Sequence, residues 1–336
     1  MNAKEISTRI DVLDYLRGFA LMGIILVNII PLLSVRLPNP HTTDASYLRF
    51  LYLLVEGRFY TIFTFLFGVG FYIFISRANA KGKNGYVLFL RRILVLFFFG
   101  LVHVHFQPGE ALTVYAICGL IILPFYKANK VVNLVFGMVM LLVLSLYAQK
   151  MFMVVPLMLL GIAAGQYRMF ERISQHLKQT VIFTGIMFVL SVAGLIYQYQ
   201  HAPFMFGSDG DFKDTQRFLR IGISLGPMVS ALYVGVLILL LNFPVVRQVL
   251  SPLKSYGRMA LTNYVSQTTF ILVAGKLLDL FDHITYLQSL YFCLAIYVIQ
   301  LTFSAIWLRH FSFGPLEWVW RTLTYFEFPP MRKTRV

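Results

Sequence analysis

Charge is what this sequence has least of: Asp, Glu, Lys and Arg make up 13% of its 336 residues, against roughly 25% in a soluble domain. With 58% hydrophobic residues and a mean hydropathy of +0.73, that shortage argues against a soluble globular class. Cysteine is almost missing. Cys118 and Cys293 each sit inside an apolar run, where they read as small buried hydrophobes, so neither a disulfide framework nor a metal site is expected. Segments of about ten residues with alternating polarity are absent, which argues against a β-barrel. Acidic residues number 14 against 29 basic ones, yet the resulting +15 charge is scattered over short loops. With no compact basic domain, nucleic acid is not expected as a partner. There is no Walker A sequence and no Gly-x-Ser-x-Gly elbow. The first apolar run lacks the small-residue cleavage pattern that would mark a signal peptide.

What is present is a series of apolar runs of about 18 residues or more, each long enough to cross about 30 Å of hydrocarbon as a helix. They predict an all-α, polytopic integral membrane protein with about ten transmembrane helices, at 12–33, 58–76, 89–107, 110–126, 131–149, 151–167, 179–200, 220–243, 260–280 and 287–308. Only Gln149 and Lys150 separate the fifth from the sixth, which form either a tight hairpin or one bent element. Twenty of the 29 lysines and arginines fall on the side of the N-terminus and seven on the other, with Arg17 and Lys276 inside spans. By the positive-inside rule both termini are cytoplasmic, in the inner membrane of a bacterium. One integral domain over 1–336 is the economical reading, because no strict internal repeat divides the chain. Residues 47–55 are expected to lie on the outer membrane surface. The tail 309–336 is expected to be a cytoplasmic interfacial segment, with Trp318 and Trp320 at headgroup level.

Polar residues inside spans are expensive and lead the candidates for function. In the first span, Asp14 and Arg17 are three apart and can pair. Arg17 and Asn28 are eleven apart, so they share a face about 16 Å apart along the axis. Arg17 then suits an anion binder at the cytoplasmic mouth, its planar fork matched to phosphate. The same residues also fit a snorkelling arginine with an Asp partner, and an Asn bonding between helices. The third span opens on Arg91-Arg92 and closes on His103-Val104-His105, followed by Glu110. His103 and His105 point in different directions on a helix, which argues against zinc. One histidine beside Glu110 suits a general base, and equally a structural hydrogen bond. Arg58, at the same outer face, is a candidate partner for Glu110. Asn263 and Gln267 share a face of the ninth span and suit interhelical hydrogen bonds or a pore lining. Lys276 and Asp279, three apart, are expected to pair.

These residues resemble a known family. Arg9-Ile10-Asp11, then Leu13-Asp14-Tyr15-Leu16-Arg17-Gly18-Phe19-Ala20 with Gly23-Ile24 and Asn28, looks like the N-terminal signature of the YeiB-like bacterial membrane proteins. So do Gly57-Arg58-Phe59 and Phe65-Leu66-Phe67-Gly68-Val69-Gly70. Gly257-Arg258-Met259-Ala260-Leu261-Thr262-Asn263-Tyr264 and Gly314-Pro315-Leu316-Glu317-Trp318-Val319-Trp320-Arg321 resemble that family's C-terminal half. The family is one of unknown function, often labelled a transporter. Two departures stand out. Gly109-Glu110-Ala111-Leu112 occupies the place of the family's usual Gly-Asp-Ile-Leu, and the family's long outer insertion around the fifth and sixth spans is reduced to almost nothing.

A more distant resemblance is to membrane acyltransferases that pass an acyl group from cytoplasmic acyl-CoA to a glycan on the far side. The O-acetyltransferases among them place a catalytic His eleven positions after the Arg, where this chain has Asn28. The lysosomal heparan glucosaminide acetyltransferase is more similar, with Asn there and a His in the following outer loop, roughly where His41 stands, although the local spacing differs. The resemblance implies acyl-CoA as cosubstrate and a glycan or lipid-linked hydroxyl acceptor. Arg17, Asp14, Arg91 and Arg92 would hold the CoA phosphates. His103, or His41, would act as base with Glu110 orienting it, and Asn28 would donate to the oxyanion. Arg58, Asn263 and Gln267 would contact the acceptor. A transporter or flippase of a small amphiphile or anion is the alternative, and a non-catalytic membrane partner or sensor the third reading.

Overall fold

The computed structural model describes residues 10–206 and 211–333. Lys4, Arg9, Asp209 and Arg335, which enter the charge reading, lie outside them. Among the described residues the chain is helical, with no strand and one isolated antiparallel bridge, between Phe311 and Arg332.

Helix α1 is Asp11–Leu32 and α2 is Thr43–Phe50. A π-helical turn, Leu51–Val55, leads to α3, Arg58–Ala80. Next come α4, Gly85–His103, and α5, Leu112–Ile122, which runs on as a 3-10 turn to Tyr126. Helices α6 and α7, Lys130–Leu146 and Val154–Gln166, form an antiparallel hairpin. Helices α8, Leu177–Gln200, and α9, Phe212–Leu240, pair with each other. Two short helices, α10 (Pro244–Val249) and α11 (Ser251–Arg258), precede α12, Ala260–Leu277. Helix α13 is Tyr286–His310 and α14 is Pro315–Tyr325.

The helix starts follow local chemistry. Asp11 and Asp14 occupy the first turn of α1, where carboxylates complement the positive end of the helix dipole. Asn84 caps α4 through the amides of Tyr86 and Val87, and Asn129 caps α6 through Val131. Thr285 and Gln288 form a reciprocal capping box at α13.

Six helical stretches are long and apolar enough to cross a membrane: Asp11–Leu32, Thr43–Ala80, Gly85–His103, Leu177–Gln200, Phe212–Leu240 and Tyr286–His310. Three shorter apolar helices accompany them, Leu112–Tyr126, Lys130–Leu146 and Val154–Gln166. Helix α8 turns Phe183, Phe188 and Val189 outward, as a helix does whose solvent is hydrocarbon. The chain is a multi-pass membrane protein.

Helix α1 sits at the centre, packed on α3, α11, α12 and α13. Its crossing with α11 depends on two glycines. A Cβ on Gly257 would collide with the Asp14 carbonyl, and one on Gly18 with the Leu253 carbonyl.

Several expectations are corrected. Residues 47–55 pack on the protein along one face. Tyr47, Leu48, Leu51 and Val55 are buried with Ile25, Ile29 and Ile271 in one apolar cluster, and after the π-helical turn the chain breaks at Glu56 and Gly57, the latter at φ +79°, before α3 begins. Of the two alternatives at Gln149-Lys150, the structure has the hairpin, turning at Ala148 with φ +53°. Asp279 pairs with His283 at 3.6 Å and not with Lys276. Helix α12 ends at Leu277 and Asp279 turns to φ +53°, so the i,i+3 geometry is lost.

Candidate functional site

The helix ends described above enclose a cavity of about 1290 Å³ between α1, α3, α4, α5, α12 and α14. Helix polarity gives it two chemically different ends. At one end the start of α1, the end of α3, the start of α4 and the whole of α14 converge. Arg17, Arg77, Lys81, Lys83, Arg92, Arg258 and Arg321 line it there, against Asp14, Glu317 and Glu327. At the other end, the last turns of α1 meet the start of α3 and the α4–α5 and α6–α7 loops. This end is lined by Asn28, Glu56, Gly57, Glu110 and Lys150. Aromatic and small residues lie between, among them Tyr60, Phe63, Phe67, Gly70 and Tyr115.

The cationic end is held in place by aromatic rings. The Arg92 guanidinium lies 3.6 Å from the Trp320 ring centre and 4.9 Å from that of Phe74. The Trp320 indole donates to the Arg92 carbonyl at 2.8 Å, fixing α14 on α4. Such contacts orient a cation while leaving donors for a ligand. Arg17 donates to the buried Asp14 carboxylate at 3.1 Å, as its spacing predicts, and its guanidinium reaches the space beside Gly70. The α14 wall is anchored by Glu317, which accepts the Leu261 and Thr262 amides at 2.7 and 3.1 Å and the Thr262 hydroxyl at 2.6 Å. Burial pushes the Glu317 carboxyl above its ordinary range, and these hydrogen bonds only partly oppose it. Lys83 donates to Glu327 at 2.8 Å across the mouth.

At the opposite end His103 and Glu110 come together, as their order in the sequence suggests. His103 Nδ1 is 3.7 Å from Glu110 Oε1, beyond hydrogen-bond length, and His103 Nε2 is 2.9 Å from the Thr268 hydroxyl. Glu110 accepts the Leu112 amide and, at 2.8 Å each, the Thr113 amide and hydroxyl. It therefore caps α5 as well as facing the cavity. His103 is not among the lining residues; it sits behind Glu110, its ring 5.1 Å from that of Tyr264. Asn28 lines the cavity from within α1.

The other candidates lie elsewhere. Arg58 is not the partner of Glu110. It is buried on the far side of the α3 start, donating to the Glu56 carbonyl at 2.6 Å and to Gln198 at 3.2 Å. Asn263 and Gln267 do not line the cavity. Asn263 bonds the Tyr256 carbonyl and Ser304, knitting α12 to α11 and α13, and Gln267 bonds the Tyr256 hydroxyl and the Leu21 carbonyl, knitting α12 to α11 and α1. His41 is exposed, its ring 5.1 Å from that of Phe204, and lines no part of the cavity. Arg91 points outward, 4.6 Å from the Phe326 ring. Missed in the sequence were Tyr115, Tyr264 and the whole cavity face of α14. Its one signal was Glu317, a carboxylate between aromatic residues.

Residues 9–171 match the family described as heparan-alpha-glucosaminide N-acetyltransferase, catalytic, and residues 164–327 match one described as protein of unknown function (DUF418). An uncharacterized 39.9 kDa protein from the amylase 3′ region of Bacillus acidopullulyticus is 60% identical, covering 97% of this chain and 96% of its own. The uncharacterized protein YxaH of Bacillus subtilis is 27% identical, over 98% and 97% of the two chains. The uncharacterized protein YeiB of Escherichia coli is 26% identical, over 93% and 95%. No solved structure matches the chain.

Proposed function

Because this chain belongs to the YeiB-like family of bacterial membrane proteins, a family resembling transmembrane acyltransferases, we propose that it transfers an acyl group from cytoplasmic acyl-CoA to a hydroxyl acceptor, glycan or lipid-linked, at the outer face. The observation that carries this reading is the cavity with a cationic end and a His–Glu end. The Lys/Arg bias supports ten crossings with both termini inside, in a bacterial inner membrane, so that the cationic end faces the cytoplasm.

The CoA phosphates would sit among Arg17, Arg92 and Arg321, where fork donors suit oxyanions. An extended pantetheine arm would then thread about 16 Å from Arg17 to Asn28, past Phe63, Phe67 and Gly70. The acceptor hydroxyl loses its proton as its oxygen attacks the thioester carbon; the C–S bond breaks and CoA leaves as the thiol. Glu110, which faces the cavity, would meet that hydroxyl, and His103 behind it would share the proton. This reverses the order in which the sequence suggested the two roles. The Asn28 amide would donate to the developing oxyanion.

The test is transfer of radiolabel from acyl-CoA of several chain lengths into the lipid and glycan fractions of membranes containing the protein. Label that depends on the protein and is lost in Glu110→Gln supports the reading. No protein-dependent transfer or acyl-CoA cleavage at any chain length overturns it.

A further inference from the structure

Arg58 is 1% exposed and the largest of the fully buried side chains. Its two acceptors among the described residues, the Glu56 carbonyl and the Gln198 amide oxygen, are both neutral, and its Nε has no partner there. Among the described residues no carboxylate oxygen lies within 4.0 Å of the guanidinium. The nearest acidic neighbour in sequence, Glu56, is paired with Lys150. Two cations and one carboxylate thus share this corner. Buried charges are ordinarily paired, because the low-dielectric interior does not replace lost hydration.

The space beside Arg58 is open. A second cavity of about 200 Å³ lies between the α3 start and helices α7, α8 and α9, lined by Arg58, Thr61, Gln198 and Gly222 together with Leu157 and Ile223. A Cβ on Gly226 would meet nothing within 4 Å, whereas one on Gly222 would collide with the Gln198 amide nitrogen at 2.5 Å, with Arg58 Nη1 3.6 Å away. Arg58 and Gln198 thus border the chamber together, with the bare backbone of Gly226 leaving its wall open. Helix α3 begins at its edge with Gly57 at φ +79° and no side-chain cap. The chamber shares Glu56, Gly57, Tyr60 and Lys150 with the His–Glu end of the main cavity.

We propose that Arg58 and this chamber form a site for an oxyanion, a carboxylate or phosphate carried on an apolar portion, and that it holds the anionic group of the acceptor. The oxyanion supplies the counter-charge that the guanidinium lacks, and Leu157 and Ile223 supply the apolar wall. The role as acceptor subsite rests on the transferase reading; the oxyanion site itself does not.

The experiment is thermal stabilisation of the full chain in a neutral maltoside detergent at constant ionic strength. The probes are octyl phosphate, octanoate, inorganic phosphate and, as the uncharged control, octanol. Octyl phosphate or octanoate should raise the unfolding temperature in a saturable way, with octanol inert. A response to inorganic phosphate of equal size would identify a free anion as ligand, and its absence an amphiphile's headgroup. Arg58→Met should weaken the anion at least tenfold while remaining at least as stable as wild type without anion, since it removes an uncompensated charge. Gly226→Leu, which fills the chamber and leaves Arg58 in place, should abolish the response. No anion response in wild type, or one that survives in Gly226→Leu, overturns the proposal. An acyl-CoA shift followed in the same preparation reports on the transferase reading separately.

Discussion

The Glu317 carboxylate accepts the Thr262 hydroxyl at 2.6 Å, and the Leu316 amide donates to that same hydroxyl at 3.0 Å. Two stretches more than 50 residues apart are thereby locked together. The final helix becomes a wall of the main cavity. Without Glu317, the first amides of α12 would lose their acceptor at a buried helix start.

Glu317→Ala should lower stability by about 1–2 kcal/mol, the usual cost of a lost helix cap, read as a lower unfolding temperature in detergent. The pH dependence has a definite sign. The carboxyl is raised in the folded state, so the fold binds its proton more tightly than the unfolded chain does. Its contribution to stability is fully present below the ordinary value of 4.5 and is lost as pH rises through the raised value. Glu317→Gln should flatten that part of the profile of unfolding temperature against pH.

Gly257→Ala should destabilise by about 1–3 kcal/mol, because overpacking forces backbones apart and the new Cβ meets the Asp14 carbonyl. Since Asp14 positions Arg17, acyl-CoA affinity should fall with stability. An unchanged unfolding temperature would show that α1 and α11 separate easily.

Asn263→Leu tests the part of the account that departs from the sequence reading. The Asn263 side chain donates to the Tyr256 carbonyl and to Ser304, away from the cavity. The substitution should lower the unfolding temperature, since it leaves buried groups unpaired, and should leave acyl-CoA affinity unchanged.

His103→Ala and Glu110→Gln should each reduce turnover by about 10²–10⁴, the range of general acid–base catalysis, with acyl-CoA binding retained. Single-turnover transfer measured beside equilibrium binding separates the two effects. Equal losses of binding and turnover would assign the pair a structural role at the start of α5.

Much of this architecture was legible because it is local. The ten apolar runs each overlap a helix, six of them in stretches long and apolar enough to cross a membrane, and Asp14 with Arg17 pair as three-residue spacing allows. What escaped was set by long-range packing. Nothing in the sequence near Arg58 announces Gln198, 140 positions away. Asn263 and Gln267 share a face, as their spacing says, but spacing does not say whether that face meets a cavity or another helix. Asp279 was misread because a turn at Leu277 breaks the periodicity on which pairing was argued. The third run was carried past His103, where the helix ends; its hydropathy continues through Val104 and Phe106 while the backbone turns to bring Glu110 back.

The central claim is that the cationic end of the main cavity binds acyl-CoA through Arg17. It is tested most directly by thermal stabilisation of the purified protein with acetyl-CoA and longer acyl-CoAs, in wild type and Arg17→Ala. The account predicts a saturable rise in wild type, with affinity reduced about 10- to 100-fold in the variant, the value of one charge-assisted hydrogen bond. No shift at millimolar acyl-CoA, or the same shift in both proteins, would contradict it.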